Sequence, residues 1–359
     1  MVTISLCMIV KNEEQTLPRC LDSVGDAVDE IIIVDTGSAD GTKEAAAAYT
    51  QKIYDFPWIQ DFSAARNFAF DQATMDYQMW LDADDVLLPE EREKLRRLRE
   101  TLDDRVDMVT MKYQTHFDQA GNPILVSTRE RLMKRTRGFR WQDPIHEYIP
   151  MSGNIVHSDI VVTHRKPPSD VISTRNLSIY ESIEYKGPLT PRQEYYFARE
   201  LMDHGQHAKA LYYFGRFLDG GRGWSEDCIA ACYAMAGCHR ALGRREDALP
   251  VLLRSFTYGS PRAEVCSQIG YHYQARREYA TALEWFKFAA GLAVPDTMGF
   301  FLTRYWHYVP NIEAGVCCYH LGEFAQANWF NEQAAKDRPQ DPAVLNNRQL
   351  YQAQGADRE

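Results

Sequence analysis

Tyr77-Gln78-Met79-Trp80-Leu81-Asp82-Ala83-Asp84-Asp85 decides the fold of this chain. A largely apolar, strand-like run passes directly into three carboxylates within four positions. At about 5 Å and an effective dielectric near 20, each pair of carboxylates repels by roughly 3 kcal/mol. A divalent cation among them relieves that repulsion. Hard oxygen donors of this kind suit Mg2+ or Mn2+, ions that commonly hold the phosphates of a nucleotide. A plainer reading is a solvated acidic turn that caps the helix opened by Pro89-Glu90-Glu91. It accounts for one acid and leaves the cluster at a strand end unexplained.

Upstream of this stretch, strand and helix patterns alternate. Residues 4–10 and 30–34 are apolar runs of buried-strand type, and 52–55 is a short third strand before the fourth at 77–81. Helical patterns at about 15–24, 43–50 and 63–73 lie between them. Crossovers of this length predict a parallel sheet with helices on both faces. Ligands of such sheets bind outside the carboxyl ends of the strands. Lys11-Asn12-Glu13, Asp35 and Asp82 all fall there. Residues 106–113, 130–134 and 154–164 read as further strands with shorter connections, which predicts a mixed edge.

After Lys166-Pro167-Pro168 the strand signal ends. Four segments then repeat a turn and helix start: Gly205 to Ala210, Gly243 to Ala248, Arg277 to Ala282 and Gly322 to Ala327. Their common alanines are spaced by 38, 34 and 45 residues, the last interval holding an aromatic-rich insertion at about 297–307. The pattern resembles the tetratricopeptide repeat, in which a small residue lets paired helices approach. Two domains are expected, 1–168 and 169–359.

The chain has 359 residues, 45% of them hydrophobic, enough for two cores. Its net charge is -10 with no basic run, which argues against nucleic acid as a main partner. No secretory leader pattern and no apolar run of spanning length is present, so a cytoplasmic protein without a membrane span is expected. The eight cysteines form no C-x-x-C pair and read as reduced core residues.

Four motifs carry chemistry. Lys11-Asn12-Glu13-Glu14 closes the first strand, and Lys11 is placed to meet a phosphate or simply to cap that strand. Val34-Asp35-Thr36-Gly37-Ser38 closes the second; Asp35 there can accept hydrogen bonds from a ribose or a uracil N–H. Ala65-Arg66-Asn67 opens a helix, where Arg66 can pair with a pyrophosphate or fix an acidic neighbour. The fourth is the acid cluster.

In this order and spacing the four motifs resemble the family 2 glycosyltransferases, with their GT-A fold, over roughly residues 1–165. Trp141-Gln142-Asp143-Pro144-Ile145-His146-Glu147 and the repeat tail are similar to the SunS-like branch, which includes peptide glycosyltransferases. The resemblance implies a metal-dependent, inverting transfer of sugar from a nucleotide-sugar donor, usually a UDP-sugar, with Mn2+ or Mg2+. It matches Asp35 to the uridine contact, Arg66 to the arginine behind the diphosphate, and Asp84 to the direct metal ligand. Asp82 then faces the ribose or a metal-bound water, and His164, ending a strand, is the candidate histidine ligand. The general base that a single displacement needs is sought at Glu147, then His146, then Asp143. The family has a Glu-Asp pair in this region, where this chain reads His-Glu. Trp141 is either a stacking wall or core. The repeats are expected to bind a peptide or protein acceptor, a partner, or a second copy of the chain. Alternatives are a nucleotidyltransferase, which lacks its Gly-rich lysine loop here, and a nucleotide-sensing scaffold.

Overall fold

The computed structural model describes residues 1–118, 121–165 and 173–354. Contacts divide the chain into two units, Met1–Ser182 and Ile183–Glu359. The boundary expected at 168/169 lies outside the described residues.

The first unit is built on a mixed sheet. β1 (Ile4–Val10), β2 (Glu30–Asp35), β3 (Ile53–Asp55) and β4 (Tyr77–Trp80) are mutually parallel. The helices α1 (Leu17–Val24), α2 (Thr42–Ala47) and α3 (Phe62–Asp71) supply the crossovers that parallel strands require. β5 (Asp85–Val86) and α4 (Pro89–Thr101) follow, then the longer β6 (Met108–Phe117), β7 (Pro123–Lys134) and β8 (Ile155–His164). The strand order is β3-β2-β1-β4-β7-β6-β8-β5. β7 runs antiparallel to both β4 and β6, which makes the mixed edge read from the sequence.

Alternate residues of β1 feed two cores. Ile4, Leu6, Met8 and Val10 pack with α1 and α4 on one face. Cys7 joins Ile32, Val34, Phe70, Trp80 and Trp141 on the other. Burial on both faces is why these strands read as near-continuous apolar runs. At the opposite end of the sheet from the acids, the buried Glu30 accepts hydrogen bonds from Ser5 and Thr74 and pairs with Lys52.

Two consequences position the site. Because β1, β2 and β4 are parallel, Lys11, Asp35 and Asp82 share one sheet edge. β5 pairs antiparallel with β8 in the register Asp85↔His164, so the ladder itself delivers the end of β8 to the acid cluster.

α5 (Arg175–Lys186) crosses the division between the units. The second unit is all helical apart from short turns and one two-residue strand. Its helices are α6 (Pro191–Asp203), α7 (His207–Asp219), α8 (Ser225–Ala241), α9 (Arg245–Arg254), α10 (Ala263–Ala275), α11 (Tyr279–Ala290), α12 (Tyr308–Leu321), α13 (Phe324–Ala335) and α14 (Pro342–Ala353). Short turns pair them from α6–α7 to α12–α13, and α14 follows as a last helix. This is the tetratricopeptide-like pattern. The four repeated alanines, Ala210, Ala248, Ala282 and Ala327, are all buried. Gly205, Gly243 and Gly322 occupy the turns with φ of 72°, 74° and 82°. The third turn adopts the same left-handed backbone at Arg277, with φ of 61°. The insertion tucks Tyr305 and Trp306 against Ala263, Cys266 and Ala289. All eight cysteines are free and buried. No helix among the described residues is long and apolar enough to cross a membrane.

Candidate active site

A cavity of about 420 Å3 opens at the carboxyl edge of the first unit's sheet. Lys11, Arg66, Asp82, Asp84, His146, Glu147 and His164 all line it. Seven of the residues singled out in the sequence are thus drawn from five separate stretches of chain into one space.

Arg66 organises one wall. Asp61 caps α3 by accepting the Ala64 N–H at 2.9 Å, which starts the helix and sets Arg66 in its second turn. The guanidinium is buried between indoles, 4.8 Å from the ring centroids of both Trp80 and Trp141. It donates from Nη2 to Asp82 at 2.7 Å and from Nε to Glu147 at 2.6 Å. Burial opposes its charge, but the two carboxylates outweigh burial and push its pKa up. In turn Asp82, also disfavoured by burial, is held below the usual carboxylate range by Arg66 and then Arg131. Of the two roles open to Arg66 in the sequence, the structure displays the fixing of acidic neighbours. Its Nη1 is buried without a partner.

Glu147 is aimed by that arginine and by its own loop. Gln142 and Tyr148 exchange backbone hydrogen bonds at 2.8 and 3.1 Å. Within the closed loop Asp143 and His146 have φ of 67° and 49°. His146 stacks on Tyr180 with ring centroids 6.0 Å apart. Asp143 is not among the lining residues. Trp141 is core rather than wall: it is 3% exposed and packs edge-on to Trp80 at 5.0 Å.

The opposite wall holds the acids. Asp84 Oδ1 lies 3.2 Å from His164 Nδ1. Asp85, fully buried, is a hub rather than a lining residue. Its Oδ1 accepts from Tyr113 Oη at 2.9 Å and lies 3.1 Å from His164 Nδ1. Its Oδ2 accepts from Arg131 Nη1 and from the Asp82 N–H, both at 3.1 Å. Burial disfavours charge on His164, but bonding to Asp84 and Asp85 prevails and raises its pKa to about 10.

One donor atom each from Asp84, Asp85 and His164 falls within a 4.8 Å span. Two carboxylate oxygens and an imidazole nitrogen that gives up its proton form a donor set that fits Mn2+ better than Mg2+. Asp82 stands outside this trio, and its Oδ1 accepts from Arg66. Asp35, 1% exposed, folds its Oδ1 onto the Gly37 and Ser38 N–H groups at 2.8 Å, while its Oδ2 is buried with no partner. Lys11 is exposed on the cavity wall.

Several lining residues had no motif to announce them. Trp58 and Phe62 meet edge to face at 4.7 Å, Arg175 lies 4.7 Å over the Phe62 ring, and Arg129 projects from β7. Arg131, the last residue of the charged run Arg129-Glu130-Arg131, is fully buried, and nothing in the sequence set it apart from its charged neighbours.

The sequence model of glycosyl transferase family 2 matches residues 5–156. Those residues are a family 2 glycosyltransferase domain. Parts of this chain have curated relatives. A TPR repeat-containing protein of Synechococcus elongatus is 41% identical over 149 residues, covering 42% of this chain and 36% of that protein. The glycosyltransferase SunS of Bacillus subtilis is 28% identical over 218 residues, covering 55% and 49% respectively. The chain thus spans half or less of the length of these two curated relatives. Glucosyl-3-phosphoglycerate synthase from Mycobacterium tuberculosis, solved with Mn2+, UDP-glucose and phosphoglyceric acid, aligns with 17% identity. That alignment covers 53% of this chain and 82% of the synthase, with a TM-score of 0.36.

Proposed function

We propose that this chain transfers a sugar from a UDP-sugar to an acceptor hydroxyl or thiol by a single, inverting displacement. One observation carries it: the acid pair, a histidine, a lysine and a glutamate held by arginine line one cavity at the sheet edge of a family 2 domain.

Each residue has a part. Asp35 Oδ2, buried and unpartnered, accepts an N–H or O–H of the nucleoside. Lys11 faces the diphosphate. Asp84, Asp85 and His164 would hold the divalent ion. Such an ion offsets the negative charge that the leaving diphosphate develops. Asp82, tied to Arg66, faces the ribose or the ion's water. The acceptor oxygen or sulfur attacks the anomeric carbon as the bond from that carbon to the phosphate oxygen breaks. Glu147 takes the acceptor's proton, and His146 orients the acceptor beside it. The ion pair with Arg66 fixes where the Glu147 carboxylate points.

A peptide or protein acceptor is the preferred partner. The helical repeats, which stack into extended surfaces suited to chains, support this.

The decisive experiment incubates the protein with a panel of UDP-sugars and Mn2+ or Mg2+ and reads released UDP. One donor is expected to turn over. Asp84→Ala should remove that turnover while circular dichroism stays native. Turnover at the wild-type rate in this variant would sink the metal assignment.

A further inference from the structure

The second unit contains a cavity of about 660 Å3 between the α8–α9 hairpin and α10. Its rim carries Arg240, Arg245 and Arg276. Arg276 is paired with Glu246 at 3.0 Å and Glu278 at 2.7 Å. Arg240 and Arg245 make no ion pair or side-chain hydrogen bond among the described residues. Glu246 is the one acid among the lining residues.

The floor is polar and held in place. Gln268 donates from Nε2 to the Tyr305 oxygen at 3.0 Å, and Tyr271 donates to Glu313 at 3.0 Å. Tyr305 comes from the insertion that lengthens the last repeat interval, so that irregular segment builds part of the wall. Ala248, Leu252 and Ala275 supply the apolar remainder.

In a protein of net charge -10, two guanidinium groups without counter-ions at the mouth of a cavity are a local reversal of sign. Guanidinium forks match carboxylates in planar, paired hydrogen bonds. The space admits a few side chains, not a duplex, and the overall negative charge repels a long polyanion. We propose that this cavity binds a carboxylate side chain of an acidic peptide segment, anchoring a protein on the repeats through Arg240 and Arg245. The proposal goes beyond sugar transfer and does not depend on it.

The test is fluorescence anisotropy of a fluorescein-labelled octapeptide of alternating Glu and Gly, titrated with the full chain at low salt. Binding is expected to weaken at least tenfold in the double variant Arg240→Glu/Arg245→Glu. It should persist in a control of equal charge change, Arg96→Glu/Arg97→Glu, on the exposed side of α4. Three results would overturn the proposal: no binding by the wild type, equal affinity in the cavity variant, or an equal loss in the control. Tighter binding of an octathymidine or of phosphatidylserine vesicles than of the peptide would overturn it as well. Donor turnover, measured in parallel, is expected unchanged in the cavity variant, so the two proposals stand or fall separately.

Discussion

Arg66 reaches Glu147 with a 2.6 Å hydrogen bond across 81 residues of chain. The same guanidinium holds Asp82. A single buried cation therefore sets the distance between the acid on the donor side and the proposed base on the acceptor side. Both acids lose their common reference if it is removed.

Replacing Glu147 with Gln keeps the side chain's shape and removes its ability to take a proton. The expected result is a fall in kcat of about 10²–10⁴-fold, typical of losing a general base, with donor KM within a few-fold of wild type. Steady-state UDP release across donor concentrations checks it. A rate near that of the wild type would transfer the role to His146.

Arg131 and Asp85 are both completely buried and 3.1 Å apart. Removing Arg131 leaves the buried Asp85 with His164 alone to offset its charge. Arg131→Met should therefore destabilise the first unit by about 3–5 kcal/mol. Adding Asp85→Asn to that variant should return part of the loss, because the stranded charge is gone. Urea melts of the single and double variants read both effects. A single variant as stable as wild type would show the pair to be dispensable.

Arg277 holds the left-handed backbone that glycine supplies in the other three repeat turns. Outside glycine that conformation costs about 1–2 kcal/mol, and the greater freedom of glycine in the unfolded chain offsets part of it. Arg277→Gly is therefore expected to stabilise the second unit by about 0.5–1 kcal/mol, while Gly243→Ala should destabilise it. Thermal melts of both variants give the two signs.

Glu264 on α10 is buried, one of its oxygens has no partner, and burial raises its pKa to about 7. The folded state thus prefers the neutral acid. Below the unfolded value near 4.5 this costs nothing. As pH rises through 4.5 to 7 the folded protein loses stability relative to the unfolded chain, and the full penalty is present above 7. Glu264→Gln should raise stability at pH 8 by about 3–4 kcal/mol, by the usual conversion of about 1.4 kcal/mol per pKa unit, and change little at pH 4. Melting temperatures at the two pH values settle it; an equal gain at both would mean packing, not charge, is responsible.

The order of elements was legible because β1 and β2 are near-continuous apolar runs and each repeat begins with the same turn and alanine. The gathering of Lys11, Asp35 and Asp82 followed from strand direction alone. What remained hidden depends on contacts between distant parts of the chain. Arg66 could equally have met a phosphate; only its distances to Asp82 and Glu147 show where its fork points. Asp82 and Asp85 look alike in the motif, yet one lines the cavity and the other is enclosed by Arg131 and Tyr113. Local pattern cannot tell them apart, because their difference is made by β7 and β6. Trp58 and Arg175 lie in loop and helix starts whose periodicity carries no sign of the cavity they line.

The eight enclosed thiols have a practical corollary. Each is shut away from reagent, and burial pushes Cys232, Cys266, Cys317 and Cys318 up to about 12, so almost no thiolate forms near neutrality. The native protein is a silent background for maleimide dyes and spin labels. One cysteine introduced at a fully accessible place, such as Tyr185→Cys, would carry a probe alone without stripping any residue from the interior.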